Sequence, residues 1–204
     1  MSRLVWAAMA LACLAAAGDQ DGFVPMVAGN NPAQFDLVGL GPGSILVHEG
    51  SVRLTGEPDG YFATKAAYKN YVLRFDWRYD RPEGLTSDAA FDGNSGVLLH
   101  LQPPSKVWPR SIQVQLLYAD PGNLFPLDAE LAASKDATAQ RKASRPVGEW
   151  NTLEVVSQDA SITVRMNGLE IASGTKAKPA EGAIGWQSEG RPIEFRNIRI
   201  KVNP

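Results

Sequence analysis

The stretch Tyr71–Tyr79, with the sequence YVLRFDWRY, alternates apolar and charged side chains along most of its length. Successive side chains of a β-strand point to opposite faces, so the two sets separate onto the two faces of one strand. The apolar face holds Leu73, Phe75, Trp77 and Tyr79, and the charged face holds Arg74, Asp76 and Arg78. The stretch therefore predicts a strand with one face in a hydrophobic core and the other face outside it.

The same alternation recurs at residues 112–116 and 162–166. The second of these runs leads through Asn167 and Gly168 into another apolar stretch, and Asn-Gly between two such runs predicts a β-hairpin with a type I′ turn. Further strands are predicted at residues 51–54, 96–101, 152–157, 183–187 and 193–202. Residues 127–141 are predicted as a loop with one or two helical turns, and residues 82–94 and 102–110 as loops able to hold functional groups.

Many short strands separated by Gly and Pro, with little helix, predict an all-β sandwich or jelly roll of two antiparallel sheets. In such a fold each sheet has one face in the core and one face outside. The polar sets of the alternating strands are therefore expected on an outer face, where a ligand could bind.

The amino terminus has the order of a secretory signal peptide. Arg3 precedes an apolar run over residues 4–17, and polar residues follow from Gly18. That run is shorter than the roughly 20 residues of a membrane-spanning helix, so no transmembrane segment is predicted. We expect an exported, periplasmic or extracellular protein with a single domain over residues 18–204. Cys13, the one cysteine, is either discarded with the signal or marks a lipoprotein anchor.

The charge pattern excludes a nucleic-acid partner of the usual basic kind. The formal net charge is −2, and the charged residues are dispersed along the chain. The sequence also lacks a G-x-S-x-G elbow and a Cys/His cluster of the kind that binds zinc. It does not specify an oligomeric state.

Six short motifs in order resemble one known family. They are NSGVLLH at 94–100, WPRSIQVQL at 108–116, GEWN at 148–151, MNG at 166–168, GAIGWQ at 182–187 and FRNIRI at 195–200. They resemble the 3-keto-disaccharide hydrolase domain family, which has a concanavalin-like jelly-roll fold, and the resemblance covers about residues 22–201. The resemblance implies a carbohydrate ligand and cleavage of 3-keto-glycosides, in which a base removes the C2 proton, the C1 substituent is eliminated and water is added. It implies no certain cofactor, although a divalent metal is possible.

The residues predicted for catalysis are His100 and Asp76. Histidine has an ordinary pKa near neutrality and suits proton transfer, and alternation predicts that His100 shares the outer face with Gln113 and Gln115. Asp76 would serve as a base or metal contact if its strand bordered the strand of Gln113. No residue is assigned to a metal site.

The residues predicted to bind substrate are Gln113, Gln115, Arg74, Asn94 and Trp108. Gln113 stands where the family commonly has Glu, and Asn123 stands where it often has an acid. Because an amide cannot act as a base, a non-catalytic carbohydrate-binding domain is the alternative. A structural module without a small ligand is the third hypothesis.

Overall fold

A computed structural model describes residues 21–203. The predicted signal peptide, Cys13 and Pro204 lie outside the described residues. Within residues 21–203, no helix is long and apolar enough to span a membrane.

The described chain is built almost entirely from strands, with one α-helix and two short 3₁₀ turns at Pro32–Gln34 and Asp88–Ala90. The strands and the helix are β1 (Val24–Pro25), β2 (Asp36–Val38), β3 (Ile45–His48), β4 (Ser51–Leu54), β5 (Gly60–Ala63), β6 (Tyr71–Tyr79), β7 (Gly96–Leu101), β8 (Ser111–Gln115), β9 (Leu124–Leu127), β10 (Glu130–Lys135), α1 (Ala137–Ala143), β11 (Asn151–Gln158), β12 (Ser161–Met166), β13 (Leu169–Lys178), β14 (Ala183–Ser188) and β15 (Ile193–Val202).

These strands form two antiparallel sheets, which we call the large sheet and the small sheet. The large sheet has the order β10-β13-β12-β11-β6-β15-β4-β3, and β1 pairs with β15 beside that path. The small sheet has the order β2-β5-β14-β7-β8-β9. The predicted all-β sandwich of two antiparallel sheets is therefore confirmed.

The two sheets pack face to face around a shared apolar core. Phe62 and Trp186 of the small sheet stack with their ring centroids 5.0 Å apart. Phe75 of the large sheet meets Trp186 edge-on at 6.3 Å and Phe195 at 6.0 Å. Burial of these rings, together with the aliphatic side chains around them, holds the sheets together.

The Asn167–Gly168 hairpin forms as predicted between β12 and β13. Both residues have positive φ, 49° and 86°, which the type I′ turn requires. Residues 127–141 differ from the prediction because β10 pairs with β13 and forms the edge strand of the large sheet. The helix after β10 begins at Asp136, whose carboxylate accepts hydrogen bonds from the amides of Thr138 and Ala139.

Candidate functional site

Two glutamines of β8 form the centre of a polar patch on the outer face of the small sheet. Ile112 and Val114 enter the core, so Gln113 and Gln115 between and after them point outward. The Nε2 atom of Gln113 donates to Gln115 Oε1 and to Gln187 Oε1 on β14, both at 2.8 Å. The amides of two strands that flank β7 are thereby joined into one surface.

Gly96 of β7 makes this arrangement possible. A Cβ at residue 96 would lie well inside the contact distance of Gln187 Oε1 and 2.5 Å from Gln113 Nε2. The absence of a side chain lets the two amides meet above the middle strand. Although they lie on an outer face, Gln113 is only 7% exposed and Gln187 only 1% exposed.

A carboxylate follows directly along the same face. Asn94 and Glu189 form a bridge between the chain before β7 and the chain after β14. Asn94 Nδ2 donates to Glu189 Oε1 at 2.5 Å. Within residues 21–203, Asn94 Oδ1 is a buried acceptor with no hydrogen-bond partner.

Glu189 has a second acid beside it. Asp59 precedes Gly60, which pairs with Ser188, so Asp59 lies across from Glu189. Burial raises the pKa of Glu189, and the negative charge of Asp59 raises it further, while the hydrogen bond from Asn94 lowers it. The net effect is a carboxyl group that holds its proton to a higher pH than an ordinary glutamate, which is the adjustment a general base near neutrality needs.

Two exposed aromatic side chains lie on β9 and on the loop before β8. Phe125 of β9 pairs with Gln113 across the strands and is 40% exposed. Trp108 is 48% exposed in the loop before β8. Exposed rings beside amides and carboxylates form the combination that binds the C–H face and the hydroxyls of a sugar ring.

The structure does not place His100 in the patch, and the prediction that it lies on the outer face is wrong. His100 has a φ of 56°, and the three steps along β7 from Leu98 to Leu101 lie opposite only the two steps from Gly185 to Ala183 of β14. This bulge interrupts the alternation, so Leu98 and Leu101 both lie outside while His100 turns between the sheets.

His100 is fully buried and held by groups of the fold itself. Nδ1 lies 3.0 Å from the carbonyl oxygen of Pro179, which can only accept, so Nδ1 donates the hydrogen. Nε2 lies 3.1 Å from Ser157 Oγ on the large sheet. Burial lowers the pKa of His100, against smaller raising effects of the Pro179 carbonyl and the charge of Glu181. This geometry gives His100 a role in joining the two sheets.

Asp76 and Arg74 lie on the opposite side of the molecule, so the condition set for Asp76 is not met. Their strand, β6, is in the large sheet, whereas Gln113 is in the small sheet. Asp76 accepts hydrogen bonds from Thr152 at 2.7 Å, Asn197 at 2.7 Å and Arg196 at 3.2 Å. Arg74 is paired with a glutamate of β11 at 2.6 Å. Both residues belong to cross-strand charge pairs of a solvated surface.

Among the predicted binding residues, the structure brings Gln113, Gln115 and Asn94 together, and it places Trp108 on a loop beside that sheet. Asn123 is held in its own turn, where Nδ2 donates to Asp120 at 3.0 Å. The sequence reasoning missed Glu189, although the alternation of β14 from Gln187 continues to that residue. No sequence signal links it to Asp59, which lies far away along the chain.

No metal centre is apparent in the part of the chain that is described. Residues 21–203 contain no group of three or more His, Cys, Asp and Glu side chains placed to hold an ion.

Comparison with solved structures defines the class of the fold. The chain resembles a candidate glycosyl hydrolase from Parabacteroides distasonis, with a TM-score of 0.64, 19% identity, and coverage of 90% of this chain and 95% of that one. It also resembles the carbohydrate-binding module CBM66 from Bacillus subtilis (TM-score 0.60, 11% identity, 82% and 95% covered). A Bacillus licheniformis β-glucanase is similar too (TM-score 0.55, 11% identity, 89% and 97% covered). The fold is thus the concanavalin-like jelly roll.

The family is more specific than the fold. The model of the 3-keto-alpha-glucoside-1,2-lyase-like domain matches residues 19–201, and the chain belongs to this family. The predicted resemblance is thereby confirmed. A search of the curated proteins found no match.

Proposed function

We propose that this protein cleaves 3-keto-glycosides on the outer face of the small sheet, with Glu189 as the general base. The observation that supports this most directly is the half-buried Glu189 carboxylate, which has a raised pKa and stands at the end of a row of amides. Family membership provides the substrate class. The candidate glycosyl hydrolase among the structural neighbours agrees with this substrate class, but its similarity to this chain concerns only the fold.

The chemistry needs one base and a stabilised oxyanion. A ketone at C3 acidifies the proton on C2, and Glu189 would remove that proton while the electron pair moves onto the C3 oxygen as an enolate. The enolate then re-forms the ketone as the C1–O bond breaks, and the leaving group departs with a proton. Addition of water across the resulting double bond gives net hydrolysis.

The amides are arranged to act as donors. Gln115 and Gln187 accept hydrogen bonds from Gln113 through their Oε1 atoms. Their Nε2 groups are therefore the ends left to donate to a ligand. Donors fixed in advance on a partly desolvated surface stabilise a developing enolate oxygen and orient ring hydroxyls. Asn94 would hold the Glu189 carboxylate in place.

The test is turnover of a 3-keto-glucoside by the purified protein. Glu189→Gln keeps the shape of the side chain and its contact with Asn94 but cannot accept a proton. We expect kcat to fall about 10²- to 10⁴-fold, the usual contribution of a general base. The matched control is Glu130→Gln, an exposed glutamate of the large sheet that pairs with Lys178 at 3.1 Å. Equal activity of wild type and Glu189→Gln would remove Glu189 from the mechanism.

A non-catalytic carbohydrate-binding domain is the second candidate function. Gln113 and Asn123 replace family acids, and a carbohydrate-binding module is among the structural neighbours. In that case the wild type binds glycans without turnover, and Gln113→Glu gains turnover. Measurable cleavage by the wild type would exclude this alternative.

We also propose export from the cytoplasm, on the pattern of residues 1–17. The test is fractionation of cells that express the full chain, where a processed form in the periplasm or medium is expected. Retention of an unprocessed chain in the cytoplasm would overturn this proposal.

A further inference from the structure

The outer face of the small sheet has an apolar half next to the amide patch. Four of its residues form a buried cluster separate from the main core: Tyr61, Ala63, Leu98 and Leu101. They are between 0% and 9% exposed, although they lie outside the sandwich. Gln102, Pro103 and Ser105 line the same pocket as three of these residues, so a segment of the chain covers part of this half of the sheet.

The covering segment is the loop formed by residues 102–110. A hydrogen bond from the backbone N–H of Gln102 to the backbone carbonyl of Arg110, at 3.0 Å, closes the base of this loop. Gln102 Nε2 donates to the Glu181 carbonyl at 2.7 Å, which fixes the loop to the chain before β14. Further along, burial raises the pKa of the Tyr61 hydroxyl, and the neighbouring Ser105 lowers it.

A slot of about 160 Å³ lies between this loop and the sheet. Its walls include Val38, Tyr61, Ala63, Leu101, Ser105 and Ala183. An apolar cavity of about 150 Å³ accommodates a benzene molecule. The slot therefore has room for one six-membered ring.

The polar groups of the slot are largely occupied by the protein. Thr64 Oγ1 donates to Ala66 at 2.7 Å and accepts from the Ile184 amide at 3.0 Å. The side-chain amide of Gln102 has the partners described above, and the exposed carboxylate of Asp36 also lines the slot. Apart from the Asp36 carboxylate, a sugar ring in this slot would find few matching hydrogen bonds for the hydration it loses, whereas an apolar ring loses little.

The slot begins next to the proposed base. Tyr61 pairs with Gln187, which is two residues from Glu189 on the same face. At about 3.3 Å per residue along a strand, this separation is about 7 Å, close to the width of one pyranose ring. A sugar over the Gln187 and Gln113 amides thus has its C1 substituent in reach of the slot.

We propose that this slot binds the aglycone, and that the substrate class is 3-keto-glucosides of alcohols with a single apolar ring. This inference rests on the proposed function for its reaction. It adds to that function the chemical class of the leaving group, which is an alcohol with an apolar ring and not a second sugar.

The experiment compares two substrates whose leaving groups are both primary alcohols, so that their chemical reactivity is matched. They are a benzyl 3-keto-glucoside and a 3-keto-disaccharide with a 1→6 linkage. We expect kcat/KM of the wild type to be at least tenfold higher for the benzyl compound. Ala183→Leu, which fills the slot, should remove this preference and leave the disaccharide unaffected. Ala133→Leu, on an exposed strand of the large sheet, is the control and should keep the preference.

Binding gives a second measurement that needs no turnover. Benzyl glucoside should bind to the wild type in calorimetry, and at least tenfold more weakly to Ala183→Leu. If neither 3-keto substrate is cleaved but this difference is found, the slot assignment stands and the proposed catalysis fails. If the disaccharide is cleaved as well as the benzyl compound, or if Ala183→Leu binds as the wild type does, the slot assignment is overturned. Ala63→Val provides a milder filling variant should Ala183→Leu not fold.

Discussion

Substitution of Gly96 by alanine tests the amide patch without touching any group proposed to react. The new methyl group would sit 2.5 Å from Gln113 Nε2 and 3.0 Å from Gln113 Cγ, and closer still to Gln187 Oε1. Because Gln113 Cγ is affected as well as the side-chain ends, both amides must move apart. The backbone at Gly96 does not have positive φ, so alanine fits the chain itself.

The expected magnitudes separate stability from ligand binding. Loss of the hydrogen bond between Gln113 and Gln187 costs about 1 kcal/mol. Replacing glycine in a strand by alanine gains about 0.5–1 kcal/mol, so the free energy of unfolding should change by less than about 1 kcal/mol. A ligand that uses both amides should lose about 1–3 kcal/mol, which corresponds to roughly 5- to 150-fold in Kd.

Thermal unfolding and titration with a 3-keto-glucoside measure the two effects on the same preparations. The control is Gly41→Ala, since a Cβ at residue 41 meets nothing within 4 Å. It should match the wild type in both measurements. Normal affinity in a folded Gly96→Ala protein would refute the assignment of the amide patch as the ligand site, while global unfolding would show that the two amides cannot move apart as argued.

Two further predictions concern pH. The kcat/KM for a 3-keto-glucoside should fall at acid pH as Glu189 is protonated, with a midpoint above the ordinary glutamate pKa. Asp59→Asn should move this midpoint to lower pH, because the charge of Asp59 raises the pKa of Glu189. An unchanged pH profile in Asp59→Asn would contradict the coupling between the two carboxylates. For His100 the folded-state pKa is below the unfolded one, so the unfolded chain binds the proton first and stability should decrease as the pH falls through about 6.5 toward the folded pKa. Denaturant unfolding at a series of pH values should show this decrease in the wild type and a flatter dependence in His100→Gln, and equal slopes in the two proteins would exclude His100 as its source.

Much of the fold could be predicted because alternation is a local property. The charged and apolar sets of β6 separate as predicted, and the Asn167–Gly168 turn joins β12 to β13. The outward direction of Gln113 and Gln115 also follows from their own strand. By contrast, β10 escaped prediction because its pairing with β13 depends on contacts made across the sheet.

The sequence by itself determined the strands with clear alternation, the jelly-roll class, the family and two of the amides on the outer face, because each of these depends on neighbours along the chain. Only the tertiary structure decided which side of the molecule each charged row occupies, and it placed Asp76 on the sheet opposite Gln113. It also turned His100 inward at a bulge and brought Glu189 beside Asp59. These outcomes depend on strand order and on one residue with positive φ, and neither leaves a periodic signal in the sequence.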